Sequence, residues 1–219
     1  MPPGSYLYIC DTKIDALYLQ IPERKREDIA AALGLDLERL GDAAEDEKQA
    51  ERTDWKLRVV LSYIEASEIL GTVEEPGPYF RGRMSMQWGI VDNTALFVGR
   101  SQEKERHFVL LGGSARYSVV PDYPSGADAS QAVSPFAGLL ALFQRADSGD
   151  VLPERPYDAA NTLGSRLLRR LPVLVAQLQA VQTVEFVAET LTVETGADSR
   201  SGSRDFLLIA SPLYVALAE

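Results

Sequence analysis

The chain has 219 residues, 46% of them hydrophobic and 25% charged, and a net charge of −10. That length buries a core without disulfide or metal staples, and that charge argues against a general DNA- or RNA-binding role and against docking on anionic lipid, since both need a basic face. A single cysteine, Cys10, and a single histidine, His107, exclude an intrachain disulfide framework and any cysteine-cluster or multi-histidine metal site, so no metal or other cofactor is expected.

The opening residues, Met1 to Tyr6, lack the basic and apolar regions of a signal peptide, and no apolar run reaches ~18 residues, so the expected location is the cytoplasm. Tyr6-Leu7-Tyr8-Ile9-Cys10 is apolar on both faces and predicts a central strand. Asp11-Thr12-Lys13 then reads as a polar turn. Glu23 to Leu33 predicts a helix, with Pro22 suited to its first turn and Gly34 to its end. Residues 38–54 are dominated by Ala and charged side chains and predict a charged solvated helix or a mobile segment. Trp55 to Glu65 fits two periods. Leu57, Val60, Leu61 and Ile64 make a helical stripe, while Leu57, Val59, Leu61 and Tyr63 alternate; the helix is preferred, capped by Asp54 or Thr53. Gly71 to Pro78 reads as a loop.

The clearest pattern follows. Phe80, Gly82, Met84, Met86, Trp88 and Ile90 alternate with Arg81, Arg83, Ser85 and Gln87, the period of a strand with one buried face. Asp92-Asn93 turns into a return strand, Ala95 to Gly99. His107 to Leu111 predicts a third strand, Gly112-Gly113 a turn, and Ala115 to Val120 a fourth. Pro121 to Val133 reads as a loop. Ser134-Pro135 opens a helix with Phe136, Leu139, Leu140 and Phe143 inward. A second helix is expected from Asp158 to Leu171, bent or restarted at Pro172 and continuing to Val181. Val184 to Val193 reads as a strand, with a competing helical stripe at Val184, Val187, Ala188 and Leu191. The last strand, Phe206–Ile209 and Leu213–Leu217, is interrupted at Pro212 by an edge or bulge. The sum is one α+β domain over residues 1–219: a mostly antiparallel sheet with a central β-meander at about 79–120 and helices packed on one face.

Several segments together resemble an uncharacterised actinobacterial family of about this length. They are Tyr6 to Asp15 with Gln20-Ile21-Pro22, the strand Phe80 to Gly89, Leu111 to Ser114, Glu185 to Ala188, and Ser211 to Ala216. The resemblance spans nearly the whole chain and implies a single domain. Ser is usual in that family at the position of Cys10 and His at that of Tyr117, which implies that neither position carries a required catalytic group. The resemblance implies no activity.

Three features have the chemistry to hold a ligand. Asp11 and Lys13 follow the first strand, where ligands gather in α/β sheets, although a capped turn explains them as well. Arg81 and Arg83 share a strand face about 7 Å apart, close enough to clamp a phosphate or carboxylate; the alternative is cross-strand ion pairing. Gly112, Gly113, Ser114 and Arg116 could cradle an anion, although a hairpin turn explains the glycines and no helix follows to complete a phosphate loop. His107 and Ser165 lack a surrounding motif. No segment supplies an activated nucleophile, a metal cluster or a cofactor loop.

The sequence therefore points to a binding or adaptor module that recognises a partner protein or a small ligand, with the segment 38–52 and the loop 121–133 as partner surfaces. The alternative is an enzyme or sensor for a small anionic molecule such as a nucleotide or phosphometabolite. That reading needs Arg81, Arg83 and Arg116 to converge, with Asp11 and Lys13 at the reacting end. Neither reading involves a nucleic-acid polymer or a membrane.

Overall fold

The computed structural model describes residues 6–35, 45–101, 106–119, 139, 163–178, 180–197 and 204–218. In chain order the elements are β1 (Tyr6–Ile9), α1 (Asp11–Gln20), α2 (Glu23–Ala32), α3 (Glu45–Ala66), β2 (Leu70–Thr72), β3 (Tyr79–Val91), β4 (Thr94–Arg100), β5 (Arg106–Ser114), a 3-10 turn (Ala115–Tyr117), α4 (Leu163–Val175), β6 (Ala180–Ala197) and β7 (Arg204–Leu217).

The alternation read from Phe80 onward forms β3, and the β3–β4 hairpin turns at Asp92-Asn93. Both residues have positive φ, 45° and 63°, as a tight two-residue hairpin turn requires. β4 pairs with β5 in the same antiparallel way. The sheet does not stay open. β5 pairs in parallel with β7, β7 pairs with β6, and β6 returns to pair with β3. Five strands therefore close into a barrel in the order β3-β4-β5-β7-β6. β1 continues the β5 edge of β7, and β2 continues the β4 edge of β3.

Closure overturns the expected α+β fold with helices packed on one face of a sheet: the protein is mostly β, a closed five-strand barrel with two further strands, although most of its strand pairs are antiparallel as expected. The physical reason is the length of two strands. β3 is long enough to hold β6 on one edge and both β2 and β4 on the other, and β7 does the same for β6, β5 and β1. The meander is also shorter than expected. It has three strands, and Gly112 and Gly113 lie inside β5 rather than in a turn. A Cβ on Gly113 would stand 2.1 Å from the Tyr8 hydroxyl, and one on Gly112 would stand 2.6 Å from Leu139. The two glycines thus let a ring into the barrel and a leucine onto its wall. The expected fourth strand is the 3-10 turn followed by one bridge, Ser118 to Tyr8.

The barrel interior is filled by Tyr8, Phe80, Met86, Phe97, Val109, Leu111, Phe186, Leu208 and their neighbours. The outer wall carries two separate helical coverings. α1, α2 and α3 pack Ile14, Ile21, Trp55, Leu57, Val60 and Ile64 against Val187, Leu213, Tyr214 and Ala216. α4 packs Leu167, Leu171, Leu174 and Leu178 against Leu96, Val98, Leu110, Leu207 and Ile209. Strands with both faces buried explain why β1 looks central, although among the described strands it lies at an edge and pairs with β7.

Other elements depart in detail. Asp11-Thr12-Lys13 is the first turn of α1, where the acidic Asp11 suits the positive end of the helix dipole. α3 begins well before Asp54, whose carboxylate accepts a hydrogen bond from the Tyr6 hydroxyl at 2.8 Å instead of capping the helix. α4 carries Pro172 within it and ends at Val175, so the helix does not reach Val181. β7 runs continuously through Pro212 with a register shift, and β6 is a strand over the segment where a helix competed. The segment 36–44, the loop 121–133 and the helix expected at 134–146, apart from Leu139, lie outside the described residues.

Two stability outcomes follow from this packing. Gly113→Ala should cost about 1–3 kcal/mol in urea unfolding, and adding Tyr8→Phe should recover part of it by removing the nearest atom. Burial also pushes the Tyr214 phenol up to about 12, and it raises Tyr6, Tyr8 and Tyr79. An unfolded phenol ionises near 10, so between about pH 10 and 12 the folded chain holds more protons than the unfolded one. Stability is then full below about pH 10 and falls as pH rises. Circular dichroism across that range should show unfolding in step with tyrosinate absorbance, and Tyr214→Phe should move its onset upward.

Candidate functional site

Where β1 ends, the Cys10 N–H donates to the Leu213 carbonyl at 2.9 Å, and the chain turns directly into α1. The 3-10 turn after β5 arrives at the same place. Its Tyr117 ring packs edge-on against Tyr8, 6.1 Å between centroids. The Tyr117 hydroxyl lies 2.5 Å from Thr12 Oγ1. Arg116 donates to Thr12 Oγ1 at 3.3 Å and to the Tyr117 hydroxyl, and its guanidinium lies over the Tyr117 ring. Thr12 also donates, through its N–H and its hydroxyl, to the Asp11 carboxylate. The result is a small exposed shelf: one guanidinium, two hydroxyls and one carboxylate at the start of a helix.

The hydrogen bond to Tyr117 holds the Arg116 guanidinium above its usual value, so it is cationic under all working conditions. Cys10 sits just beneath. Burial pushes its thiol up, against a smaller downward pull from the backbone and ammonium of Lys13. It is a free, buried cysteine with the character of a core residue rather than a nucleophile.

The structure brings Asp11 and Arg116 to this shelf and places the other predicted residues elsewhere. Lys13 reaches across to β6 and pairs with Glu189 at 2.6 Å. Glu189 lies opposite Ser211 in the ladder, whose buried hydroxyl has no hydrogen-bond partner among the described residues. Arg81 stands on the outer wall, paired with Glu65 of α3 at 3.0 Å. Arg83 lies two residues along the same face, opposite Glu185 in the ladder. Gly112 and Gly113 are mid-strand, and Ser114 ends β5. The arginines of β3 and Arg116 therefore do not share a site. Thr12 and Tyr117 are the additions that sequence reasoning missed. Thr12 stood inside a motif read as a turn, and nothing in the chain ties it to a tyrosine 105 positions away.

A second concavity lies on the other side of the barrel. Between α4 and the barrel wall lies a cavity of about 420 Å³, with Leu171 and Val175 of the helix on one side and the wall residues Val98 and Phe108 on the other. Among the described residues, no three His, Cys, Asp or Glu side chains are placed to hold a metal ion, and no helix is long and apolar enough to cross a membrane.

The buried thiol gives a direct check of this geometry. Cys10 should resist a disulfide-exchange reagent in the native protein and react fully only once the chain is unfolded in denaturant.

No curated protein and no solved structure matches the chain. A family model matches residues 5–219, nearly all of it. On that match, the chain belongs to a family of unknown function, DUF7019.

Proposed function

We propose that the protein is a binding module that takes a small anionic ligand, such as a phosphorylated or carboxylated metabolite, on the shelf of Thr12, Arg116 and Tyr117. One observation carries the reading. Arg116 is brought 104 positions back along the chain to two hydroxyls, and among the described residues it makes no ion pair with a carboxylate. Lys13, Lys56 and Arg81 each make such a pair. A guanidinium laid over an aromatic ring keeps its donor edge in a fixed plane, the geometry that suits phosphate and carboxylate oxygens. The shelf offers a phosphate one charged donor, and the Thr12 and Tyr117 hydroxyls can add to it by exchanging their bonds to Asp11 and Thr12 for bonds to the ligand.

The barrel order supports a small ligand over a polymer. On five-stranded Greek-key barrels of this kind, oligonucleotides lie across the face of the second and third barrel strands. Here those strands are β4 and β5, and Leu96, Val98 and Leu110 on that face are buried beneath α4.

A thermal-shift screen against inorganic phosphate, nucleotides, cyclic nucleotides and phosphorylated metabolites tests the proposal. A ligand at 100 times its dissociation constant adds about 2.7 kcal/mol, a rise of a few degrees for a chain of this size. Arg116→Ala should weaken binding about tenfold or more, the worth of one charge-assisted hydrogen bond. Asp11→Asn should tighten it by removing a carboxylate from the shelf. A shift unchanged in Arg116→Ala overturns the site. No shift across the panel leaves a protein partner as the better account, to be pursued by affinity capture.

A further inference from the structure

We propose that the groove between α4 and the β3–β4 wall binds an amphipathic acid: an apolar chain or ring system ending in a carboxylate. Its volume, about 420 Å³, is that of a small-molecule site. The interior is apolar, walled by Val98, Phe108, Leu171 and Val175. Among the described lining residues the polar ones are Ser85 and Gln87 of β3 and Arg100, the last residue of β4, on neighbouring strands. The groove is thus mostly apolar, with one cation among its lining.

Arg100 sets the chemistry of the head group. Its guanidinium lies over the Phe108 ring, 5.5 Å from the centroid. Among the described residues it makes no ion pair, and no carboxylate lines the groove. A protein with a net charge of −10 has an excess of acids to offer an exposed arginine, yet among the described lining residues Arg100 has the Phe108 ring, a serine and a glutamine for company and no acid. An incoming carboxylate would take the guanidinium edge, with Gln87 and Ser85 as further donors. A nucleotide fits poorly, because the site has one cation and, apart from Ser85 and Gln87, an apolar lining. A second copy of the chain also fits poorly, since stable interfaces bury about 800 Å² on each partner, far more than this groove presents.

Why the groove exists is visible in the strand pattern. Ala95, Phe97 and Gly99 of β4 face the barrel interior, so Leu96, Val98 and Arg100 face out. α4 seats its leucines over Leu96, Val98, Leu110, Leu207 and Ile209, while at the edge of the groove Val181 of β6, paired with Gln87 of β3, remains 63% exposed.

Calorimetric titration with decanoate, decanol and acetate, below the concentration at which the chains self-associate, tests the inference. Decanoate should bind, decanol should bind about tenfold or more weakly for want of the charge, and acetate should bind negligibly. Arg100→Gln should erase the preference for decanoate over decanol. Val175→Trp should block both, with circular dichroism confirming the fold. Because Arg100 is exposed, its variant keeps the test decisive if Val175→Trp does not fold. Arg116→Ala should leave decanoate binding unchanged, which separates this groove from the shelf at α1. No decanoate binding, equal binding of decanol, or a preference that survives Arg100→Gln overturns the proposal. So does a concentration-dependent dimer that Val175→Glu abolishes, which would assign the groove to a second copy.

Discussion

β7 is the strand on which the architecture depends. Its Asp205–Ala210 segment pairs with β5, and its Tyr214–Ala216 segment pairs with β1, all on one edge; the other edge is occupied by β6 along its whole length. Three strands from three parts of the chain are therefore held in register by one. Its side chains divide the same way: Leu208, Ala210 and Val215 fill the barrel, Leu207 and Ile209 receive α4, and Tyr214 and Ala216 receive the N-terminal helices. A register slip of one residue in β7 would exchange the inner and outer sets and empty all three clusters at once. The bulge at Pro212 is part of this design. It removes a ladder hydrogen bond where β7 passes from β5 to β1 and lets the strand change direction.

The charged groups sort by the same geometry. Around the N-terminal helices cations are tied to acids: Lys13 to Glu189 and Arg81 to Glu65 between helix and wall, and Lys56 to Asp15 between α3 and α1. These pairs are partly or largely exposed and contribute little each to stability. Their effect is to fix how the helices sit. Lys25, Arg26 and Lys56 of these helices also lie over the Tyr63 and Tyr18 rings, as Arg116 and Arg100 lie over Tyr117 and Phe108. The two functional readings start from Arg116 and Arg100, one at the start of α1 and one beside α4, where each guanidinium adjoins a group that could share a ligand.

Local patterns were legible in the sequence and closure was not. The period-2 run of β3, the Asp92-Asn93 hairpin, the Glu23–Ala32 helix and the stripe of Leu57, Val60 and Ile64 each rest on neighbours within a few residues. The parallel β5–β7 pair joins positions about a hundred apart and leaves no local sign. Gly112-Gly113 misled for a related reason. A glycine pair reads as a turn when the only visible cause is backbone freedom, but here the cause is close approach by Tyr8 and Leu139. Of the site residues, Arg116 stood out by its charge, while its company, Thr12 and Tyr117, is set by where β1 and the 3-10 turn meet. Arg100 resembled any arginine entering a polar loop, because what distinguishes it is the apolar cavity beneath.

The order of the strands along the chain has a consequence for synthesis. β6 and β7 are the last of the described strands to leave the ribosome, and until they arrive β1 has no strand partner, the β3–β4–β5 meander has two open edges, and α1 to α3 have no wall to cover. Helices and hairpin can form early, since they are local, but nothing can hold them together. Chains elongate at roughly 5–20 residues per second, so this half-built state lasts for seconds with apolar strand edges exposed. Closure of the barrel therefore waits for β7, and nascent chains stalled before it are natural clients for chaperones and proteases.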